Sequence, residues 1–200
     1  MNLSHQFIIA SHNQHKISEI RDILGDLPLE LLSLRDLKWD IPHQEVGLTY
    51  YDNALLKAQM VVNHFDRPGL AEDSGLEVDA LDGRPGLHTA RYAGENASDL
   101  DNNRKLLQEL LGVPYEKRTA RYRCTIVLLF PDGKKYSWEG TCEGLITLEL
   151  KGVAGFGYDP LFYVPEYRKT MAELGEGVKN TISHRARALN QFKRFFRNNY

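Results

Sequence analysis

Cysteine is scarce in this chain, with only Cys124 and Cys142 in 200 residues. Neither sits in a CxxC or other zinc spacing, which leaves out a disulfide scaffold and a zinc finger. Both read as buried, reduced thiols. An excess of charge is also missing: 25 Lys and Arg stand against 27 Asp and Glu, a net of −2. A general nucleic-acid binder would show a basic surplus, so that class is disfavoured, while a local cationic pocket stays open. No apolar run approaches the roughly 20 residues of a membrane span. Residues 1–10 lack the cationic start and long apolar core of a signal peptide. A soluble cytoplasmic protein, with neither membrane nor nucleic acid as partner, is the expectation. HExxH, GxxxxGK[ST] and a GxGxxG in a βαβ setting are all missing too, so three common routes to metal, phosphate and dinucleotide binding do not apply.

What is present concentrates in residues 70–94. Glu72 and Asp73 are adjacent, Ser74-Gly75 follows, and apolar residues flank them on both sides (Leu70 and Ala71 before, Leu76 and Val78 after). The pattern predicts strand entering and leaving a sharp corner at Ser74-Gly75. Neighbours on a strand point to opposite faces, so only one of the two acids faces any given site. An acid beside Ser-Gly at a strand end suits a divalent cation with oxygen ligands. A solvated acidic turn is the plain alternative.

In chain order, Phe7-Ile8-Ile9-Ala10 reads as a buried strand and residues 11–15 as a polar loop. A helix over 16–24 follows, with Ile17, Ile20 and Leu24 at helical spacing. Helix N-terminal amides favour an anion, and Lys16 in the first turn points the same way. A second strand is predicted over 29–34. Thr49 is placed to cap a helix over 50–64, in which Asn53 and Lys57 share a face that reads as solvated. Ser98 is placed to cap a helix over 99–111, to which no chemistry is assigned. A hairpin is expected from 121–130 and 135–148 around Pro131-Asp132-Gly133-Lys134, with a strand over 144–150 and a last one over 161–164. The glycines of 152–157 break regular structure between these last two, and Phe156 and Tyr158 offer flat rings for a base unless both are core. A short helix over 169–174, a polar loop over 176–180 and a final helix capped by Thr181 or Ser183 complete the reading. His184 and Arg185 then oppose the dipole of that final helix unless something negative is bound there. With Lys16 and Lys179, they make four candidate phosphate or base contacts.

Taken together, Ser11-His12-Asn13 with Lys16, Glu72-Asp73-Ser74-Gly75-Leu76, Arg84-Pro85-Gly86 with Ala90-Arg91-Tyr92, Phe156-Gly157-Tyr158-Asp159-Pro160 and Lys179-Asn180 with Ser183-His184-Arg185 resemble the ordered motifs of the inosine triphosphate pyrophosphatase family. These are the Ham1-type enzymes for non-standard purine nucleotides. The resemblance implies an α/β fold: a long, twisted, mixed central sheet flanked by helices, in one two-lobed domain over 1–200 with the active-site cleft between the lobes. It also implies a homodimer, Mg²⁺ as cofactor, and hydrolysis of ITP, dITP and XTP to monophosphate and pyrophosphate.

Carried over by position, the resemblance makes Asp73 the catalytic acid. Ser11, His12, Asn13, Gln14, His15 and Lys16 would hold the triphosphate. Ser74, Phe156, Gly157, Tyr158, Asp159, Lys179, His184 and Arg185 would contact the nucleotide. Many members carry two adjacent acids before the position of Gly47; here the pair is Gln44-Glu45, so Glu45 joins Asp73 as the expected metal ligand. A non-catalytic nucleotide sensor on the same scaffold is the alternative, and it would have no need of the acids.

Overall fold

The computed structural model describes residues 6–40 and 46–200. Along the chain come β1 (Gln6–Ile9), α1 (Gln14–Leu24), β2 (Glu30–Ser33), α2 (Tyr50–Phe65), β3 (Gly69–Val78), α3 (Asp99–Glu109), β4 (Thr119–Leu129), β5 (Lys135–Ile146), β6 (Phe162–Val164), β7 (Lys169–Thr170), α4 (Met171–Ile182) and α5 (His184–Asn199). The strands form one seven-stranded sheet in the order β2-β1-β3-β4-β5-β6-β7. β1 runs parallel to β2 and β3, pairing Ile8 with Leu32 on one side and with Gly69 on the other. β6 is antiparallel to β5 and β7, so the sheet is mixed, in an α/β fold as the sequence implied.

Two units share this chain. One takes its described residues from 6–73, Cys124–Gly140 and Arg185–Tyr200; the other comprises Ser74–Arg123 and Thr141–His184. The division falls between Asp73 and Ser74, and again between His184 and Arg185, inside two of the motifs.

In the first unit, strand alternation sorts the core into two layers. Phe7, Ile9 and Leu70 face α1 and α5, where they meet Ile17, Ile20, Leu189, Phe192 and Phe196. Ile8, Ala10 and Ala71 face α2 and meet Ala54, Ala58 and Val61. Period 2 on the strands and period 3.6 on the helices produce this without further instruction. Truncating one buried ring, such as Phe192, to alanine costs about 3–5 kcal/mol. The second unit has its own core of Leu76, Leu106, Leu110, Tyr122, Ile146, Tyr158 and Phe162. Cys124 belongs to a core of the first unit and Cys142 to that of the second, and both are buried thiols outside any disulfide.

Two helix caps stand where the sequence puts them, whereas Thr181, offered as a cap for the final helix, lies inside α4. Thr49 accepts from the Asp52 amide at the start of α2, and Ser98 forms a capping box with Asp101 at the start of α3. Each such cap contributes about 1 kcal/mol.

Three further expectations need correction. No corner interrupts Glu72-Asp73-Ser74-Gly75: β3 is one continuous strand, and its hydrogen-bonded neighbours β1 and β4 carry it through. The expected strand over 144–150 ends at Ile146, after which the Thr147 hydroxyl donates to the Glu149 and Leu161 carbonyls and turns the chain. Residues 176–180, expected as a loop, are helical. α4 breaks at Gly175 (φ 74°) and resumes to Ile182, because Leu174 and Ile182 pack on the second core.

Candidate active site

β3 presents Glu72 and Asp73 to opposite faces of the sheet, and each acid meets a different set of helices. On the face of α1 and α5, Glu72 receives Lys16 Nζ at 2.9 Å from the first turn of α1. Arg185, in the first turn of α5, donates from Nε to Glu72 Oε2 at 2.5 Å and from Nη2 to Oε1 at 2.8 Å. Its Nη1 donates to Glu19 of α1. Arg185 and Glu72 are 1% and 2% exposed. Two cations and two carboxylates thus form a quartet whose charges cancel, buried but for the half-buried Lys16. Burial alone would raise the Glu72 carboxyl, but the charges and hydrogen bonds of Arg185 and Lys16 outweigh it and hold that carboxyl well below the usual range. Burial likewise works against the Arg185 charge, and Glu72 more than restores it. The Cys124 thiol lies 3.7 Å from Glu72 Oε2, and burial together with that carboxylate pushes it well above its ordinary value, which leaves it inert.

On the face of α2, Asp73 is gripped by two residues one helical turn apart. Lys57 Nζ reaches Asp73 Oδ1 at 2.8 Å and the Glu72 carbonyl at 3.3 Å. Asn53 Nδ2 donates to Asp73 Oδ2 at 3.1 Å, while its own Oδ1 accepts the Gly47 amide at 2.8 Å. Gly47 has no room for a side chain there, since a Cβ would stand 2.7 Å from Asn53 Oδ1. Asp73, Lys57 and Asn53 are all buried.

The second unit holds another buried acid, Asp159, which terminates the 152–159 loop. Lys179 of α4 meets Asp159 Oδ2 at 2.5 Å, and the Phe156 amide donates to the same oxygen at 3.0 Å. Tyr122 donates its hydroxyl to Asp159 Oδ1 at 3.4 Å, and the His184 ring stacks on Tyr122 with centroids 4.7 Å apart. Burial, reinforced by the Asp159 charge, keeps the Tyr122 phenol protonated. Lys179 Nζ lies 4.2 Å from the centre of the Phe156 ring, a cation–π contact. Phe156 is half-buried, whereas Tyr158 is core: its ring joins the second core and its hydroxyl donates to the Thr89 carbonyl at 3.0 Å. Of the two rings expected as base platforms, Phe156 is the less buried.

The structure therefore gathers Lys16 and Arg185 at Glu72, Asp73 with Lys57 and Asn53, and Lys179, Phe156, Asp159 and His184 around Tyr122. Asn13 caps α1, its Oδ1 accepting the Lys16 amide, and Ser11 Oγ accepts the Asn13 amide. Gln14 and His15 are exposed and His12 half-buried around that turn, Ser74 is half-buried on β3, and Gly157 lies in the loop after Phe156. Glu45 lies outside the described residues. The anion that the cationic start of α5 demanded is supplied, for Arg185, by the protein's own Glu72 and Glu19.

Sequence reasoning passed over Glu19 and Tyr122, and it read Asn53 and Lys57 as a solvated face where the structure buries both. A signal for two of them was in the sequence. Asn53 and Lys57 fall within the same stripe as Ala54, Ala58 and Val61, so they are polar residues on a buried face.

Among the described residues no group of three His, Cys, Asp or Glu side chains is assembled for a metal. Asp73 nevertheless offers hard carboxylate oxygens, and Mg²⁺ is commonly held by one or two carboxylates plus substrate phosphates. The donor chemistry fits that ion. No helix among the described residues is long and apolar enough to cross a membrane.

Comparison with known proteins converges on one group. The profile of the Ham1 family matches residues 7–195. A dITP/XTP pyrophosphatase of Geobacter sulfurreducens is 54% identical over 185 residues, covering 92% of each chain. One from Halalkalibacterium halodurans is 48% identical over 190 residues, covering 95% of this chain and 98% of its own. Among solved structures, the Ham1 protein of Staphylococcus aureus superposes with a TM-score of 0.87 at 40% identity, over 98% of this chain and all of the other (100%). A HAM1 protein from Coxiella burnetii gives 0.88 at 36% identity, over 96% and 98%.

Proposed function

This chain belongs to the Ham1 family, and from that premise we propose that it hydrolyses non-standard purine nucleoside triphosphates (ITP, dITP and XTP) at the α–β bond, giving monophosphate and pyrophosphate. The observation that carries the reading is Asp73: a buried carboxylate on β3, fixed by Lys57 and Asn53. A protein that only sensed nucleotides would have no need of this charged pair.

The chemistry is a charge problem. Water attacks an anionic phosphorus and an anionic group leaves, so preorganised cations and a well-placed acid do most of the work. Asp73 orients the attacking water and takes up its proton. Lys57 fixes the Asp73 carboxylate and balances its charge. Lys16 has three ammonium donors, of which Glu72 takes one, and the amides at the start of α1 point the same way, so this turn receives phosphate oxygens together with Ser11, His12, Asn13, Gln14 and His15. Mg²⁺, held by Asp73 and Glu45 with the phosphates, would neutralise charge developing on the leaving group.

Phe156 supplies the face on which the purine stacks. Ser74, Lys179, His184 and the backbone of Tyr158 favour a 6-oxo group and leave the 6-amine of adenine without a partner, and Gly157, with no side chain, lets the loop approach the base. Asp159 holds Lys179 for that task, and Arg185 acts behind it all by fixing Glu72 and, through it, Lys16. The same reading takes a homodimer as the assembly and the cytoplasm as the compartment. Incubation with ITP, XTP, GTP and ATP, with and without Mg²⁺, tests it. Monophosphate plus pyrophosphate from ITP and XTP, only with the metal, is the expected outcome. Diphosphate plus orthophosphate would overturn the bond assignment, and tight binding without turnover would favour the sensor.

A further inference from the structure

α3 received no chemistry from its sequence, yet its first two turns grip the loop that carries Phe156. Asp99 Oδ2 accepts the N–H of Gly157 at 2.7 Å. Asn103, four residues on and so on the same face of the helix, donates from Nδ2 to the Gly157 carbonyl at 2.8 Å. The same amide also donates to the Asp99 carbonyl at 2.7 Å, which fixes which way it faces. Asn103 is buried. Both polar groups of one glycine are therefore held from a single helix face.

The grip falls where the loop is freest. Gly155 and Gly157 flank Phe156 with φ of 78° and 61°, the left-handed region that residues with a Cβ resist. Asp159 ties Phe156 itself, its Oδ2 accepting the Phe156 amide at 3.0 Å and its own amide donating to the Phe156 carbonyl at 3.3 Å. Gly157 is the next residue, and among the described residues its N–H and its carbonyl are both held by α3. Thr89 adds a third tie through its carbonyl, but to Tyr158, one residue beyond.

We propose that Asp99 and Asn103 are positioning residues for base selection: by clamping Gly157 they keep the Phe156 ring over Lys179 and so set the platform that the purine meets. The inference rests on the reading of Phe156 and its neighbours as the base subsite. It assigns a role to two residues of α3 that touch neither substrate nor reacting atoms.

Four variants test it: Asp99→Ala, Asp99→Asn, Asn103→Ala and Asn103→Asp. The two alanine variants should raise KM for ITP about tenfold, hold kcat within about threefold, and lower the preference for ITP over ATP in kcat/KM by a similar factor. Asn103→Asp places a carboxylate against two carbonyls and should do at least as much harm. Asp99→Asn should restore wild-type values, because its amide oxygen accepts the same N–H. Competitive inhibition by inorganic tripolyphosphate, which has no base, should be unchanged throughout. Wild-type KM and selectivity in both alanine variants would overturn the clamp. So would damage in Asp99→Asn equal to that in Asp99→Ala, since helix charge would then be the cause. Amide hydrogen exchange over residues 155–160, read without substrate, distinguishes the two ways of failing. Faster exchange in the alanine variants, beside a wild type that leaves ITP intact, would remove the base-selection role together with the substrate assignment. Unchanged exchange would remove the clamp itself.

Discussion

Glu72 and Asp159 are both buried carboxylates with a lysine against them, and they differ in what surrounds the pair. Glu72 sits on a strand in the first unit and is held from regular structure: by Lys16 of α1 and by Arg185 of α5, which Glu19 of α1 braces in turn. Asp159 ends an irregular loop in the second unit. It is held by one helix residue, one strand residue and the loop's own Phe156 amide. The first arrangement is a closed, charge-balanced frame, suited to holding a polyanion in one place. The second leaves an aromatic ring at the mouth of its ion pair and depends on glycine conformations, which suits recognition of a flat base. Loss of a group from the frame should therefore show in stability and turnover, and loss from the loop in KM and selectivity.

The most severe way to break the frame is Glu72→Gln. It leaves the buried Arg185 with Glu19 as its remaining carboxylate in the frame and takes from Lys16 its partner there, and breaking one side of such a network costs about 3–5 kcal/mol. For a chain of this length that is a fall in Tm of roughly 6–20 °C. The pH dependence follows from the direction of the shift. The folded pKa of Glu72 lies well below its ordinary 4.5, so its stabilisation is complete above about pH 4.5 and is lost as pH falls through the folded value. The Tm gap between wild type and Glu72→Gln should thus be full at pH 7 and narrow below pH 4.5. A gap that stays constant down to pH 3 would show that the Glu72 charge contributes nothing to the frame.

Asp73→Asn comes next. The amide preserves the shape and the contact with Lys57 and removes the charge, so kcat for ITP should fall about 10²-fold or more while KM changes by only a few-fold. Asp159→Asn should show the opposite split, with KM raised and kcat largely kept. Near-wild-type turnover in Asp73→Asn removes this residue from the chemistry. Identical splits in the two variants would abolish the division of labour between the regions.

How much of this was legible beforehand depended on how local each feature is. The two faces of β3 followed from period 2, and the placing of Glu72 and Asp73 on opposite sides came with them. The caps at Thr49 and Ser98 rest on a few adjacent residues and were equally readable. The corner at Ser74-Gly75 was expected because those residue types favour turns, but pairing on both sides of the strand overrode that preference. Residues 176–180 looked like a loop because they are polar. Lys179 is instead a helix residue, buried because Asp159, 20 positions earlier, neutralises it. Glu19 and Asn103 went unnoticed for the same reason: each is a polar residue whose partner is distant in sequence, and no periodicity encodes such a pairing. Asn53 and Lys57 on the apolar stripe of α2 were the exception that a stricter reading would have caught.

The mildest change sharpens the comparison most. In Gly155→Ala the new Cβ would stand 2.2 Å from Asp159 Oδ2, so the carboxylate must move, and φ is 78° besides. In Gly157→Ala nothing lies within 4 Å of the added carbon, and φ is 61°. Both variants incur the left-handed backbone cost of about 1–2 kcal/mol, while only the first displaces Asp159. Gly155→Ala should therefore raise KM for ITP by about tenfold and Gly157→Ala by roughly threefold, with kcat little changed in either. Steady-state kinetics on the pair isolates the carboxylate from the loop that bears it. If both raise KM alike, the path of the backbone rather than the Asp159–Lys179 pair governs base contact. The second region would then be a shaped loop that happens to contain an ion pair, while the Glu72 frame would remain an electrostatic device.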